Sequence, residues 1–203
     1  MNQQSSVHFF LNWSKERIDE MDATLASLEG ETAAMKADAR IKTEECIADL
    51  RKKRDEFEST VKAQTAAGEA AWDATKVRLE DEWKGFQTEI QRYLDSLGKN
   101  MEQRQAVFQS QVAAQLNSWR DTADKLNAAA QEFKTERRRE IDASVARMRA
   151  EAAAAEEKLK KVAQAGTESW AALDAALAET RGVFDRANQA AREAFKRAAG
   201  SAQ

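Results

Sequence analysis

Proline is absent from all 203 residues of this chain. A proline inside a helix costs about 3 kcal/mol, and loops ordinarily use it to fix the backbone. A chain this long without one has few places where helix must be prevented. Histidine and cysteine occur once each, as His8 and Cys46. Two such residues 38 positions apart supply no Cys/His cluster for structural zinc. No Glu-x-x-His pair is present for a di-iron bundle, and a single cysteine has no intrachain disulfide partner. Apolar runs are short. Val7-His8-Phe9-Phe10-Leu11 is the most apolar stretch near the start, too brief for a signal core or a membrane span, and Met1–Ser6 carries no basic residue. These absences predict a cytoplasmic chain with no transmembrane segment.

What is present is charge and small apolar side chains. Charged residues make up 33% of the chain, alanine is abundant, and mean hydropathy is -0.72. That profile belongs to long helices. The 32 basic and 35 acidic residues leave a net charge of -3, which gives no general attraction for nucleic acid. Period-two alternation is missing, which argues against strands.

Shifting the chain by 98 residues lays it on itself without gaps. Phe10 meets Phe108, Thr24 meets Thr122, Leu28 meets Leu126, Trp72 meets Trp170, Leu79 meets Leu177 and Phe86 meets Phe184. The shift equals 14 heptads, so chance in-phase matches are expected. The paired Gly68-x-x-x-Trp72 and Gly166-x-x-x-Trp170 segments are harder to reach by chance. The expected organisation is two tandem helical repeats, 1–98 and 99–203, in one elongated unit.

Large side chains recur at helical spacing. Leu28, Ala39, Leu50, Val61, Trp72, Trp83 and Leu94 form a stripe at eleven-residue steps, with Met35, Cys46, Phe57, Gly68, Leu79 and Ile90 seven residues on. Eleven residues span three turns, so such a seam runs nearly straight. The second half is more heptad-like, through Leu116, Trp119, Ala123, Leu126, Ala130 and Phe133. The seam is expected to comprise Leu28, Leu50, Val61, Trp72, Leu79, Trp83, Trp119, Leu126, Phe133, Leu159, Trp170, Leu177 and Phe184. The best break is Leu97-Gly98-Lys99-Asn100 at the repeat junction, with Gly68 and Gly166 as further hinge or turn candidates. Breaking at Gly98 alone predicts two helices of about 90 residues, each about 135 Å long. They would pack as an all-α antiparallel hairpin or coiled coil, reaching a four-helix arrangement on bending or dimerisation. Ile41, Ile47 and Val77 lie off the seam, which favours a homo-oligomer.

No catalytic constellation is legible. Glu44-Glu45, Glu80-Asp81-Glu82 and Glu156-Glu157 have basic neighbours one turn away, as on solvated helix faces. The basic runs Arg51–Arg54 and Arg137–Arg139 are flanked by acids and read the same way. His8 reads as packing or solvent-facing, and Cys46 as a buried small hydrophobe. Neither a Gly-rich phosphate loop nor a nucleophile elbow appears, so neither catalytic, cofactor-binding nor metal-binding residues are assigned. Five tryptophans stand out: Trp13, Trp72, Trp83, Trp119 and Trp170. Core packing explains four of them. Trp13, with Phe9, Phe10 and Leu11, is the candidate for exposed adhesion, because a bundle end buries least.

Across Gly68-Glu69-Ala70-Ala71-Trp72 and Trp83 the chain resembles small bacterial coiled-coil proteins described as stress-associated. The resemblance covers Ile41 to Tyr93; the second copy keeps Gly166 and Trp170 but has Arg181 where the second tryptophan would stand. It implies a non-enzymatic protein. The alanine-rich tail is similar to phasins, the coat proteins of bacterial polyester granules, and to apolipoprotein-type helices. The expected function is therefore structural, as a self-associating scaffold or assembly factor in the cytoplasm. The alternative is an amphipathic coat peripheral on a membrane, lipid or polyester granule.

Overall fold

A computed structural model describes residues 3–33, 35–67, 71–96, 101–165 and 170–200. The described residues form six helices and no strand: α1 (Gln3–Thr32), α2 (Ala37–Ala67), α3 (Trp72–Ser96), α4 (Met101–Ala130), α5 (Thr135–Gln164) and α6 (Trp170–Gly200). The chain is all-α, as its composition and periodicity require. The helix boundaries repeat the sequence shift: α4, α5 and α6 each begin 98 residues after α1, α2 and α3, and α4 ends 98 residues after α1.

The two uninterrupted rods expected from the sequence do not form. Each half folds back twice, so helices of 25 to 31 residues replace rods of about 90. The longest spans about 46 Å. The first fold-back in each half is the unexpected one. Met35 N donates to Thr32 O (3.2 Å) and Arg40 N to Lys36 O (2.9 Å); 98 residues later Phe133 N donates to Ala130 O (3.1 Å) and Arg138 N to Lys134 O (3.0 Å). Neither turn contains glycine or proline. Lys134 is extended at the start of α5 (φ -62°, ψ 149°) and lends no side-chain cap. Tertiary packing overrides local propensity there: Phe133 sits edge-on to Phe195 at 5.7 Å, and the Thr43 hydroxyl donates to Met35 Sδ at 3.2 Å. A single rod could not bury its own stripe, whereas folding back lets three stripes face one another. The other expected hinges, Gly68, Gly98 and Gly166, lie outside the described residues; α2 ends at Ala67 and α3 begins at Trp72.

Within each half, consecutive helices pack antiparallel. The halves join through their first helices. Lys15, Asp19, Glu20 and Thr24 of α1 meet Asp121, Ser118, Gln115 and Gln111 of α4, so these counterpart helices also run antiparallel. Their crossing centres near Asp19 and Asn117, which are themselves 98-residue counterparts. An approximate two-fold axis therefore relates α1 and α4, while the helices around them depart from it, since α6 packs on α1 and α3 makes no comparable contact with α4. Helix α6 leans across both α1 and α4, so these two helices lie in the middle of the structure. The main core runs from Leu28, Leu50, Phe57 and Leu79 to Phe108 and Leu177. The second half closes on a smaller, alanine-rich core around Ala130, Ile141, Met148, Ala191 and Phe195.

Candidate functional site: a buried charged seam between the repeats

Helices α1, α4 and α6 carry nearly all the buried polar side chains among the described residues; α2 adds Thr43, Thr60 and Gln64, and α3 and α5 add none. The polar groups thus concentrate where the two halves meet. At the centre lie Glu16 and Glu20, one helical turn apart on α1, both fully buried. Arg181 of α6 donates through Nε to both oxygens of Glu20, at 3.1 and 3.0 Å. Its Nη2 reaches Asp174 Oδ1 at 3.4 Å, and its guanidinium lies 5.1 Å from the Trp83 ring centre. Gln115 of α4 donates to Glu20 Oε1 at 3.1 Å and accepts from the Thr180 hydroxyl.

A second arginine closes the other side. Arg17 donates two parallel bonds to Asp185, at 2.8 and 2.7 Å, and a third to Glu16 Oε2 at 2.8 Å. This fork is the strong form of the arginine–carboxylate contact. Its guanidinium also stacks 4.4 Å from the Trp13 ring centre. Arg17 is held still more firmly protonated than usual by Glu16 and Asp185, against its own burial. Glu16 differs. Burial pushes its carboxyl well above the usual range, Arg17 opposes this, and Glu20 and Asp185 add to it. Its Oε1 is buried without a hydrogen-bond partner. The cluster can thus fix helix register through paired charges and hold a proton on Glu16. Glu16 and Glu20 have no exposed surface through which another molecule could reach them.

The expected seam residues are placed inside the chain. Leu28, Leu50, Val61, Leu79, Trp83, Trp119, Leu126, Leu159, Trp170, Leu177 and Phe184 are buried, while Trp72 and Phe133 are half-buried against the core. Arg51 pairs with Glu29, Arg54 with Asp22 and Glu58, and Arg138 with Asp142, so the basic runs are parts of solvated charge ladders. Cys46 is buried, and burial pushes its thiol up to about 12.

The expected adhesive end is a correction. Phe9, Phe10 and Trp13 are buried; Phe10 and Trp13 both contact Trp72 edge-on, at 4.2 and 5.8 Å, and Phe9 meets Phe195 at 5.6 Å. Residues near the start are enclosed because α1 occupies the middle of the assembly. Only Leu11 of that group is exposed, at 37%. Ile47 is also buried, while Ile41 and Val77 stand exposed on separate helices. The charged seam was missed because charged residues on helices read as solvent-facing. Arg181 standing at the counterpart position of Trp83 was the available signal.

Among the described residues no helix is long and apolar enough to cross a membrane, and no three His, Cys, Asp or Glu side chains gather as a metal group. Comparison with family models, with curated proteins and with solved structures finds no match.

Proposed function

We propose that this chain is a non-enzymatic structural protein, a cytoplasmic assembly factor or scaffold that associates with itself and with other proteins, in the manner of the stress-associated helical proteins it resembles. The observation supporting this reading is the lengthwise antiparallel pairing of α1 with α4. Around that pair the largest side chains of both halves hold helices together: Trp13 meets Phe57 and Trp72, and Trp119 meets Phe184. The packing leaves an outer surface laced with pairs such as Arg54–Glu58, Arg78–Glu82 and Arg120–Glu156. Such a surface recognises partners by charge pattern more than by a pocket. The test is affinity capture from the native cell after crosslinking in vivo. A reproducible set of protein partners, including further copies of the chain, is the expected result. Recovery of the chain alone as a monomer would overturn the reading.

A coat on a lipid or polyester surface is the second reading. It is favoured by α6, which gathers Trp170, Leu173, Leu177, Phe184 and Phe195 as buried residues along one helix. Lifted from the bundle, that face would suit an interfacial helix. Flotation with liposomes or granules tests it, and a protein that stays at the bottom of the gradient dismisses it.

A further inference from the structure

Helices α1, α3 and α6 leave a cleft between them, toward the start of α1. Its floor is aromatic: Phe9, Phe10 and Trp13 of α1 with Trp72 of α3. Helix α6 forms the facing wall, from Asp185 to Glu193. The space measures about 520 Å³, within the usual range of small-molecule sites. Trp72 is the half-buried ring of this floor, whereas Trp13, Trp83, Trp119 and Trp170 are buried. It is held edge-on to Phe10 at 4.2 Å and to Trp13 at 5.8 Å. Rings fixed in this way offer edges and faces to a flat aromatic partner, which gains from them beyond the area it buries.

The rim is cationic. Lys76 stands 6.0 Å from the Trp13 ring centre, and Arg186 and Arg192 line the α6 side. The two carboxylates of the cleft are already engaged. Asp185 takes two bonds from Arg17, and Glu193 accepts from Gln189 at 3.0 Å and lies 3.7 Å from Lys196. Lys76 has Glu80 at 3.6 Å. Arg186 is exposed and makes no ion pair with the described residues. Its guanidinium folds along α6 beside Gly182, with Nη1 3.5 Å from where a Cβ would stand. Two buried polar atoms of side chains lining the cleft also lack partners among the described residues, Trp13 Nε1 and Asn188 Oδ1; the Asn188 amide nitrogen donates to Phe9 O at 3.0 Å. The walls are thus not closed by internal pairing. At the positions 98 residues away, Asp174 and Thr88 stand in place of Lys76 and Arg186, so the same charge is not built twice.

We propose that this cleft binds a small aromatic carboxylate, one molecule per chain, with its rings against Trp72 and its carboxylate against Arg186. An arginine fork matches a carboxylate through two parallel bonds. The one unmatched guanidinium suits a single negative charge better than the nearly double charge of a phosphate monoester. The site goes beyond the self-assembly reading and does not depend on it.

Isothermal titration calorimetry of the full-length protein with naphthoate tests the proposal. Binding should saturate at one molecule per chain with a Kd below about 1 mM. The neutral amide of the same acid should bind about tenfold more weakly, and so should octanoate, which keeps the charge and lacks the rings. Arg186→Gln should weaken naphthoate about tenfold, Arg186→Lys much less, and Trp72→Leu about tenfold. Arg51→Gln, which removes an exposed arginine from α2, should bind as the native protein does. Arg186 is exposed, so its variants should unfold in urea at the native midpoint. No saturable binding below about 1 mM, equal affinity for the amide, equal affinity for octanoate, or an equal loss in Arg51→Gln each overturns the proposal.

Discussion

Glu16→Gln is expected to stabilise the protein, and to do so more as the pH rises. Glu16 has no exposed surface, accepts from Arg17 alone and leaves Oε1 without a partner. The charged groups around it are Arg17 and Glu20 on its own helix and Arg181 and Asp185 on α6. Burial is the largest influence and raises the carboxyl well above its ordinary 4.5. The sign follows from proton counting. Between 4.5 and the raised value, the folded state keeps a proton that the unfolded chain has lost. Stability is complete below that window and falls as the pH climbs through it, by up to about 1.4 kcal/mol per pH unit. Glutamine imitates the protonated acid and does not titrate. Urea unfolding followed by tryptophan fluorescence, at pH values from 5 to 8, gives the difference between variant and native protein. That difference should be small at pH 5 and grow with pH. A flat difference, or a variant less stable than the native protein at pH 8, would refute the reasoning: Glu16 would then be charged and favourably paired with Arg17.

Three further outcomes are expected. Leu50→Ala, at a site with no exposed surface, should cost about 2–5 kcal/mol in urea unfolding, while Val77→Ala at an exposed site should change stability by less than about 0.5 kcal/mol. Acrylamide should quench Trp72 selectively, since Trp13, Trp83, Trp119 and Trp170 are buried; the Trp72→Phe variant should therefore show little quenching until it unfolds. The Cys46 thiol, pushed up to about 12 by burial, should react with a disulfide reagent at pH 8 only at the rate at which the protein opens, and urea should accelerate the reaction steeply.

Helix and core were legible in the residues, for separate reasons. The eleven-residue stripe picked out Leu50, Val61, Trp83 and Leu94, all buried, because period alone determines which side of a helix faces inward. The 98-residue shift anticipated the starts of α4, α5 and α6. Topology was not legible. The stripe runs in phase through the fold-back between Thr32 and Ala37, and the turn there carries no breaker, so periodicity could not reveal it. The enclosure of Phe9, Phe10 and Trp13 was hidden with it, because a hairpin of two rods leaves its first residues at a tip, whereas two three-helix halves place α1 in the middle. The seam was hidden for another reason. Glu16, Arg17 and Glu20 look like any solvated charge run until Arg181, 161 residues beyond Glu20, is brought against them.

The fold-backs between α1 and α2 and between α4 and α5 have a consequence for how loss of structure would be seen. They are bent by what lies against them, and their own residues favour continuing the helix. When the surrounding contacts are lost, nothing local prevents α1 from running on into α2, or α4 into α5. Backbone ellipticity is therefore a poor witness to the protein coming apart, and can stay high after the tryptophans have already reached water.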